Sequence, residues 1–278
     1  LKTCEDLESQ GVQVTRLSVD HNGVVNLKEL QRSVRKNTVL ISVMYANNEI
    51  GTIEPIREIG QFASARGILF HTDAVQAYGH VPLYPAQMKV DFLTASGHKF
   101  CGPKGTGFLY IRNPKKIQSF ITGGSQEMGL RAGTENVPGI VGIGEAARIS
   151  GEYLEAHGMQ ISRLRDYMIS SLKKEIPGVQ INGHPHRRLP GNVNICLPGM
   201  DGAAIAAILD MDGICVSSAS ACSTGSNKPS HVLKSIGRTD WEAMGALRLT
   251  LGEENTKDEL DQAVESLKRA VESLGGIR

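Results

Sequence analysis

The stretch from Ser96 to Gly105 reads SGHKFCGPKG. Lys99 supplies a primary amine, which condenses with aldehydes, and Ser96 and His98 beside it offer a hydroxyl and an imidazole suited to a phosphate. A surface lysine has no need of that company. A lysine that meets a phosphorylated, carbonyl-bearing cofactor would use all of it. Upstream, HTDAVQ contains Asp73, a carboxylate able to keep a ring nitrogen protonated, and Gln76, an amide able to reach a ring hydroxyl. A third polar group, Asn47, Asn48 and Glu49, follows VMYA, and His71 precedes Asp73 by two residues.

These groups answer the needs of pyridoxal 5′-phosphate. Lys99 would form the Schiff base, Asp73 would face the pyridine nitrogen, Gln76 the ring hydroxyl, and Ser96 with His98 part of the phosphate. Each residue also has a plainer reading. An aspartate ending a strand is often a turn former or helix cap. A histidine beside a lysine is often ordinary packing, and Lys104 reads as a solvated loop lysine.

The elements that must position these groups follow from periodicity. A near-continuous apolar run at 38–45 and shorter segments at 68–73, 91–96 and 105–112 read as strands, and 13–19 alternates like another. Helical spacing covers 26–35 and 55–67, the latter with proline in its first turn and glycine at its end. Strands alternating with helices predict an α/β domain with a mainly parallel sheet, whose ligands lie at the carboxyl ends of the strands. All three polar groups fall at such ends. From about residue 140 to 176 the pattern is a long amphipathic helix. After it come strands at 192–199, 213–218 and 247–252, a helix at 201–212 and a final helix, an α+β pattern. The expected division is a cofactor-binding domain over 1–150 and a smaller C-terminal domain over 151–278. Loops are expected at 183–191 and 219–229.

The chain has 278 residues, 40% hydrophobic and 21% charged, with a net charge of +1, a composition that fits a folded globular protein with no nucleic-acid or membrane surface. Its five cysteines contain no C-x-x-C pair and suit a reducing, cytoplasmic setting. Cys196 and Cys215 sit amid apolar strand residues and read as buried thiols, while Cys4 carries no signal. Cys222 differs: SSASACSTGSNKPS is small and polar, so the sequence predicts an exposed, moving loop, fit for a thiol that passes between partners.

HTDAVQ and SGHKFCGPKG together resemble the cofactor signature of class V pyridoxal-phosphate enzymes, and specifically cysteine desulfurases of the NifS/IscS type. MYANNEIGTIEPI, GGSQEMGLRAGTENVPGIVG, SSASACSTGSNKPSHVL and LRLTLG resemble further blocks of that family in the same order. The resemblance implies a fold-type I transferase-like architecture, a homodimer, and conversion of L-cysteine to L-alanine. A persulfide on Cys222 would then pass to an acceptor such as an iron–sulfur scaffold or a tRNA-modifying protein. It also implies that Lys99 is the Schiff-base lysine and Asp73 the pyridinium partner, with Gln76, Ser96 and His98 on the cofactor. Asn48 would border cofactor and substrate. Thr134 in RAGTEN would reach the phosphate of the other subunit's cofactor, although it also reads as a helix N-cap. Arg248 would clamp the substrate carboxylate, where the plainer reading is a structural ion pair. Relatives carry other residues at the place of Cys101, which therefore reads as packing. The cysteine loop resembles the longer NifS/IscS version rather than the short SufS one. One departure is GEENT where relatives often have GR-x-x-T, with Glu253 in place of arginine. Relatives also begin ahead of residue 1, with a Gly-Ala-Thr-like phosphate loop and a stacking histidine. The expectation is that this chain lacks that front and by itself binds the cofactor weakly. A selenocysteine lyase, another class V aminotransferase-like enzyme, or an inactive dimeric scaffold are the alternatives.

Overall fold

The computed structural model describes residues 2–218 and 229–275. After α1 (Lys2–Ser9) and α2 (Leu27–Ser33) the chain builds β1 (Leu40–Met44), α3 (Ile56–Ser64), β2 (Leu69–Asp73), β3 (Phe92–Ser96) and β4 (Gly107–Ile111). The strands lie side by side in chain order, with β1, β2 and β3 parallel. β4 runs antiparallel to β3, a departure from a purely parallel reading. The reason is the connection: a short turn returns the chain beside the strand it has just left, whereas a parallel neighbour needs a long crossover.

Alternation along the strands separates two faces. Ile41, Phe70, Leu93 and Ala95 are buried against Ile56, Ile59 and Ala63 of α3. Residue 60 of α3 is glycine because the helix lies directly against the connection ahead of β3: a Cβ there would lie 1.9 Å from the Met88 carbonyl oxygen. The opposite face carries Ser42, His71, Asp73, Thr94 and Ser96, none of them buried.

The strand expected over 13–19 does not form; only an isolated antiparallel bridge joins Val19 to Val25. Turn chemistry wins here. Asp20 Oδ1 accepts from the amides of Asn22 and Val24, both at 2.9 Å, and Gly23 takes φ +80°. The Val25 amide then donates to buried Glu54 at 2.9 Å.

Burial pushes the Glu54 carboxyl up to about 7. A carboxyl whose folded value is raised favours the folded state while it can stay protonated, and that advantage is lost as pH rises from the unfolded value towards 7 and beyond. Glu54→Gln keeps an acceptor for Val25 but has no proton to lose. Between pH 5 and 8 the wild type should therefore lose roughly 2 kcal/mol more unfolding free energy than the variant. Denaturant titrations at the two pH values check this; parallel behaviour of the two proteins would rule it out.

Next comes α4 (Val137–Glu175), a continuous helix of 39 residues. Its N-cap is Asn136, whose Oδ1 accepts from the Gly139 amide at 3.2 Å, so Thr134, two residues earlier and exposed, is not the cap expected from sequence. β5 (Gln180–Asn182), β6 (Asn192–Cys196), α5 (Gly202–Met211), β7 (Ser217–Ser218), α6 (His231–Ser235), α7 (Asp240–Met244), β8 (Ala246–Thr250) and α8 (Lys257–Ser273) follow. The second sheet has the order β5-β6-β8-β7 and is antiparallel throughout.

The strand expected over 213–218 shrinks to Ser217–Ser218. Gly213, at φ +78°, closes α5, and the Ile214 amide bonds back to the Leu209 carbonyl at 2.9 Å, so neither can join the ladder. Cys215 is consequently exposed, not the buried thiol expected, whereas Cys196 is fully buried.

We propose the division at residues 150 and 151 from the two main cores. The front of α4 sets Ile143 and Ala146 against the first sheet, and its rear sets Met168 and Leu172 among Val193, Ile195, Leu247 and Leu267 of the second. The boundary falls inside one helix.

Candidate active site

Strand register gathers the polar groups. β2 and β3 run parallel with Asp73 opposite Thr94, so His71, Asp73, Thr94 and Ser96 share one face at the carboxyl ends. Asp73 is exposed; its Oδ1 accepts from the Val75 amide at 2.9 Å, the turn-forming role expected of such an aspartate, and its other oxygen is left for a ligand. Gln76 lies in the turn that follows. His71 Nδ1 pairs with the Ser42 hydroxyl at 2.8 Å and its Nε2 with Thr94 Oγ1 at 3.4 Å. Burial lowers the His71 pKa against the opposing pull of Asp73, which favours a neutral ring at neutral pH. This support was not assigned from sequence, although His71 stands in the same motif.

The turn after β3 accounts for the glycines and proline around Lys99. The Gly97 amide donates to the Thr106 carbonyl at 2.9 Å, the Gly102 amide to the Gly97 carbonyl at 2.8 Å, and the Thr106 hydroxyl to the Pro103 carbonyl at 2.7 Å. A Cβ on Gly97 would lie 2.8 Å from Thr106 Oγ1. The folded-back segment therefore fixes the short helical turn Gly97–Lys99. His80 Nε2–H donates to the Lys99 carbonyl at 2.8 Å, and Ser96 Oγ pairs with His98 Nδ1 at the same distance. Lys99 is exposed, and its amine has no hydrogen-bond or ion-pair partner among the described residues. Cys101, just beyond, is exposed at φ +64°, so it is not the packing residue expected.

The loop after β1 joins this face to the second sheet. Arg248 on β8 donates from Nη1 to the Asn48 carbonyl at 2.9 Å and from Nη2 to the Ser217 hydroxyl at 3.3 Å. Its Nε is buried without a partner. No carboxylate pairs with Arg248 among the described residues, so the structural ion pair is not what holds it. Thr134 lies ahead of α4 with no partner among the described residues. Cys222 lies outside the described residues. Glu253, the departure from the family pattern, pairs with His157, and its carbonyl accepts from Gln160 Nε2 at 3.1 Å.

The residues present fit pyridoxal 5′-phosphate by donor chemistry. A free amine, a half-used carboxylate and a hydroxyl–imidazole pair stand at the ends of neighbouring parallel strands, with glycine where the turn is tightest. The comparisons agree. The model of the aminotransferase class-V family matches residues 1–263. The cysteine desulfurase IscS of Methanosarcina thermophila is 47% identical over 274 residues, covering 99% of this chain and 68% of the relative. A solved NifS-like protein superposes with a TM-score of 0.90 at 36% identity, over 98% of this chain and 72% of its own. SspA, solved in complex with cysteine, superposes at 0.76 with 33% identity, over 92% of this chain and 71% of its own. The chain therefore belongs to the aminotransferase class-V family, and within it to the pyridoxal-phosphate-dependent cysteine desulfurases.

Proposed function

We propose that this protein takes sulfur from free L-cysteine and holds it on Cys222. The observation that carries the reading is the placement of Asp73 and Ser96 on one face at the ends of β2 and β3, with His98 paired to Ser96 and Lys99 in the turn that follows, and with Arg248 of the second sheet tied to Asn48 in the loop after β1. The cysteine found in SspA supports the choice of substrate.

Pyridoxal 5′-phosphate, when bound, supplies an electron sink that weakens bonds at the substrate's Cα and Cβ. Lys99 would hold the cofactor covalently and, once its amine is released, move the Cα proton. Asp73 would keep the ring nitrogen protonated, and Gln76 would meet the ring hydroxyl. Ser96 and His98, with Thr134 from a second copy, would hold the phosphate. Asn48 would border cofactor and substrate. The Cys222 thiolate attacks the substrate sulfur: a new S–S bond forms, the Cβ–S bond breaks, and Cβ keeps the electron pair and takes a proton. Cysteine plus thiol gives alanine plus persulfide, so no external oxidant is needed. The persulfide would go to a sulfur acceptor serving iron–sulfur assembly or tRNA thiolation. We assign the enzyme to a reducing cytoplasm as a homodimer. The four described cysteines are free thiols, and no described helix is long and apolar enough to cross a membrane.

Arg248 would bind the substrate carboxylate with N–H groups not already used on Asn48 and Ser217. Arg248→Lys loses the planar fork and with it charge-assisted bonds worth roughly 1.5–3 kcal/mol, so KM for cysteine should rise about tenfold or more. Steady-state alanine formation measures it. An unchanged KM would remove Arg248 from the substrate site.

A further inference from the structure

Asn48 and Glu49, consecutive residues of the loop after β1, reach the two flanks of the segment that contains Cys222. On the preceding flank, Arg248 joins the Asn48 carbonyl to the Ser217 hydroxyl. On the following flank, the Ser230 hydroxyl donates to the Glu49 carboxylate. Ser230 also accepts from the Val232 and Leu233 amides as the N-cap of α6, at 3.1 and 3.4 Å. Glu49 has no part in the chemistry proposed above.

The contact is built into buried, fixed surroundings. Ser230 is only 7% exposed. Asn47 Oδ1 accepts from the Glu49 and Ile50 amides at 2.8 and 3.0 Å. The Glu49 carbonyl accepts from the side-chain amides of Asn192 and Asn194 at 3.0 and 3.1 Å. Gly51 takes φ +74°, and a Cβ there would lie 2.6 Å from the Asn192 side chain, so the loop lies directly against β6. A carboxylate leaving a backbone held this way gives its partner a defined position.

We propose that Glu49 is a positioning residue for sulfur transfer. Through Ser230 it ties the chain beyond Cys222 to the same loop that, through Asn48 and Arg248, ties the chain before it. Referring both flanks to one point narrows the positions open to a thiol between them and raises its effective concentration at the substrate sulfur. The proposal rests on the assignment of Cys222 as the sulfur carrier.

The test uses the holoenzyme and the variants Glu49→Ala, Glu49→Gln, Ser230→Asp and Cys222→Ala. Single-turnover persulfide formation is followed by alkylation and mass spectrometry, and cysteine binding by titrating the cofactor absorbance. Glu49→Ala should slow persulfide formation about tenfold or more while the titration midpoint moves less than about twofold. Glu49→Gln still accepts the Ser230 hydroxyl and should recover most of the rate, which a general loss of stability would not allow. Ser230→Asp keeps a helix cap but sets a carboxylate against Glu49, and should be as slow as Glu49→Ala. A wild-type rate in Glu49→Ala or Ser230→Asp, or a Glu49→Gln as slow as Glu49→Ala, overturns the proposal. If Cys222→Ala still forms persulfide, the reading beneath it is what fails.

Discussion

Lys99→Ala should lose alanine formation by more than about a thousandfold, because a group that both holds the reacting cofactor and moves a proton has no partial substitute. The variant should also lack any cofactor linkage that borohydride makes permanent, and the visible absorbance that goes with it. Neighbouring amines do not offer replacement: Lys104 is exposed beyond the Pro103 turn that folds back on Gly97. The turn holding Lys99 is fixed by backbone bonds to Gly97 and Thr106 and by His80, none of which needs the lysine amine, so the variant should fold normally. Reductive trapping followed by peptide mapping is the measurement. A trapped linkage at another lysine would end the assignment.

Cys222→Ala should retain the cofactor spectrum and bind cysteine, yet form no enzyme persulfide and lose alanine production by more than about a thousandfold. Cys101→Ser, beside the same site, should keep activity within about twofold of wild type. The contrast discriminates because Cys101 is exposed and stands only two residues after Lys99. Cys196 is a poor rival: burial raises its thiol pKa, and Asn182 Nδ2 donates to its sulfur at 3.1 Å. Labelling with alkylating agents after one turnover identifies the cysteine that carries sulfur. Persulfide on Cys101 with an active Cys222→Ala protein would exchange the two roles.

Much of this site was legible in short stretches because its members lie at strand ends and in turns, where spacing in sequence becomes spacing in space. HTDAVQ and SGHKFCGPKG each occupy one strand end and its turn, and the parallel pairing of β2 with β3 brings Asp73 beside Thr94. Helices with clear caps, such as the one beginning at Asn26, formed where their periodicity put them. Some readings failed for local reasons. The alternation at 13–19 met an aspartate-led turn, the apolar look of Cys215 met a left-handed glycine, and Thr134 was displaced as cap by Asn136.

By itself the sequence determined the chemistry on offer: a lysine amine beside phosphate donors, a carboxylate one strand away, and a cysteine among small polar residues. Those are properties of side chains and near neighbours, and the family blocks repeat them. Only the tertiary structure decided what lies far apart in the chain yet acts together. Arg248 touches Asn48, Ser230 touches Glu49, and Asn192 and Asn194 brace the same loop. No periodicity encodes these contacts. They depend on how α4 carries the chain from one core to the other and on how the inner strands β6 and β8 of the second sheet then meet the loop after β1.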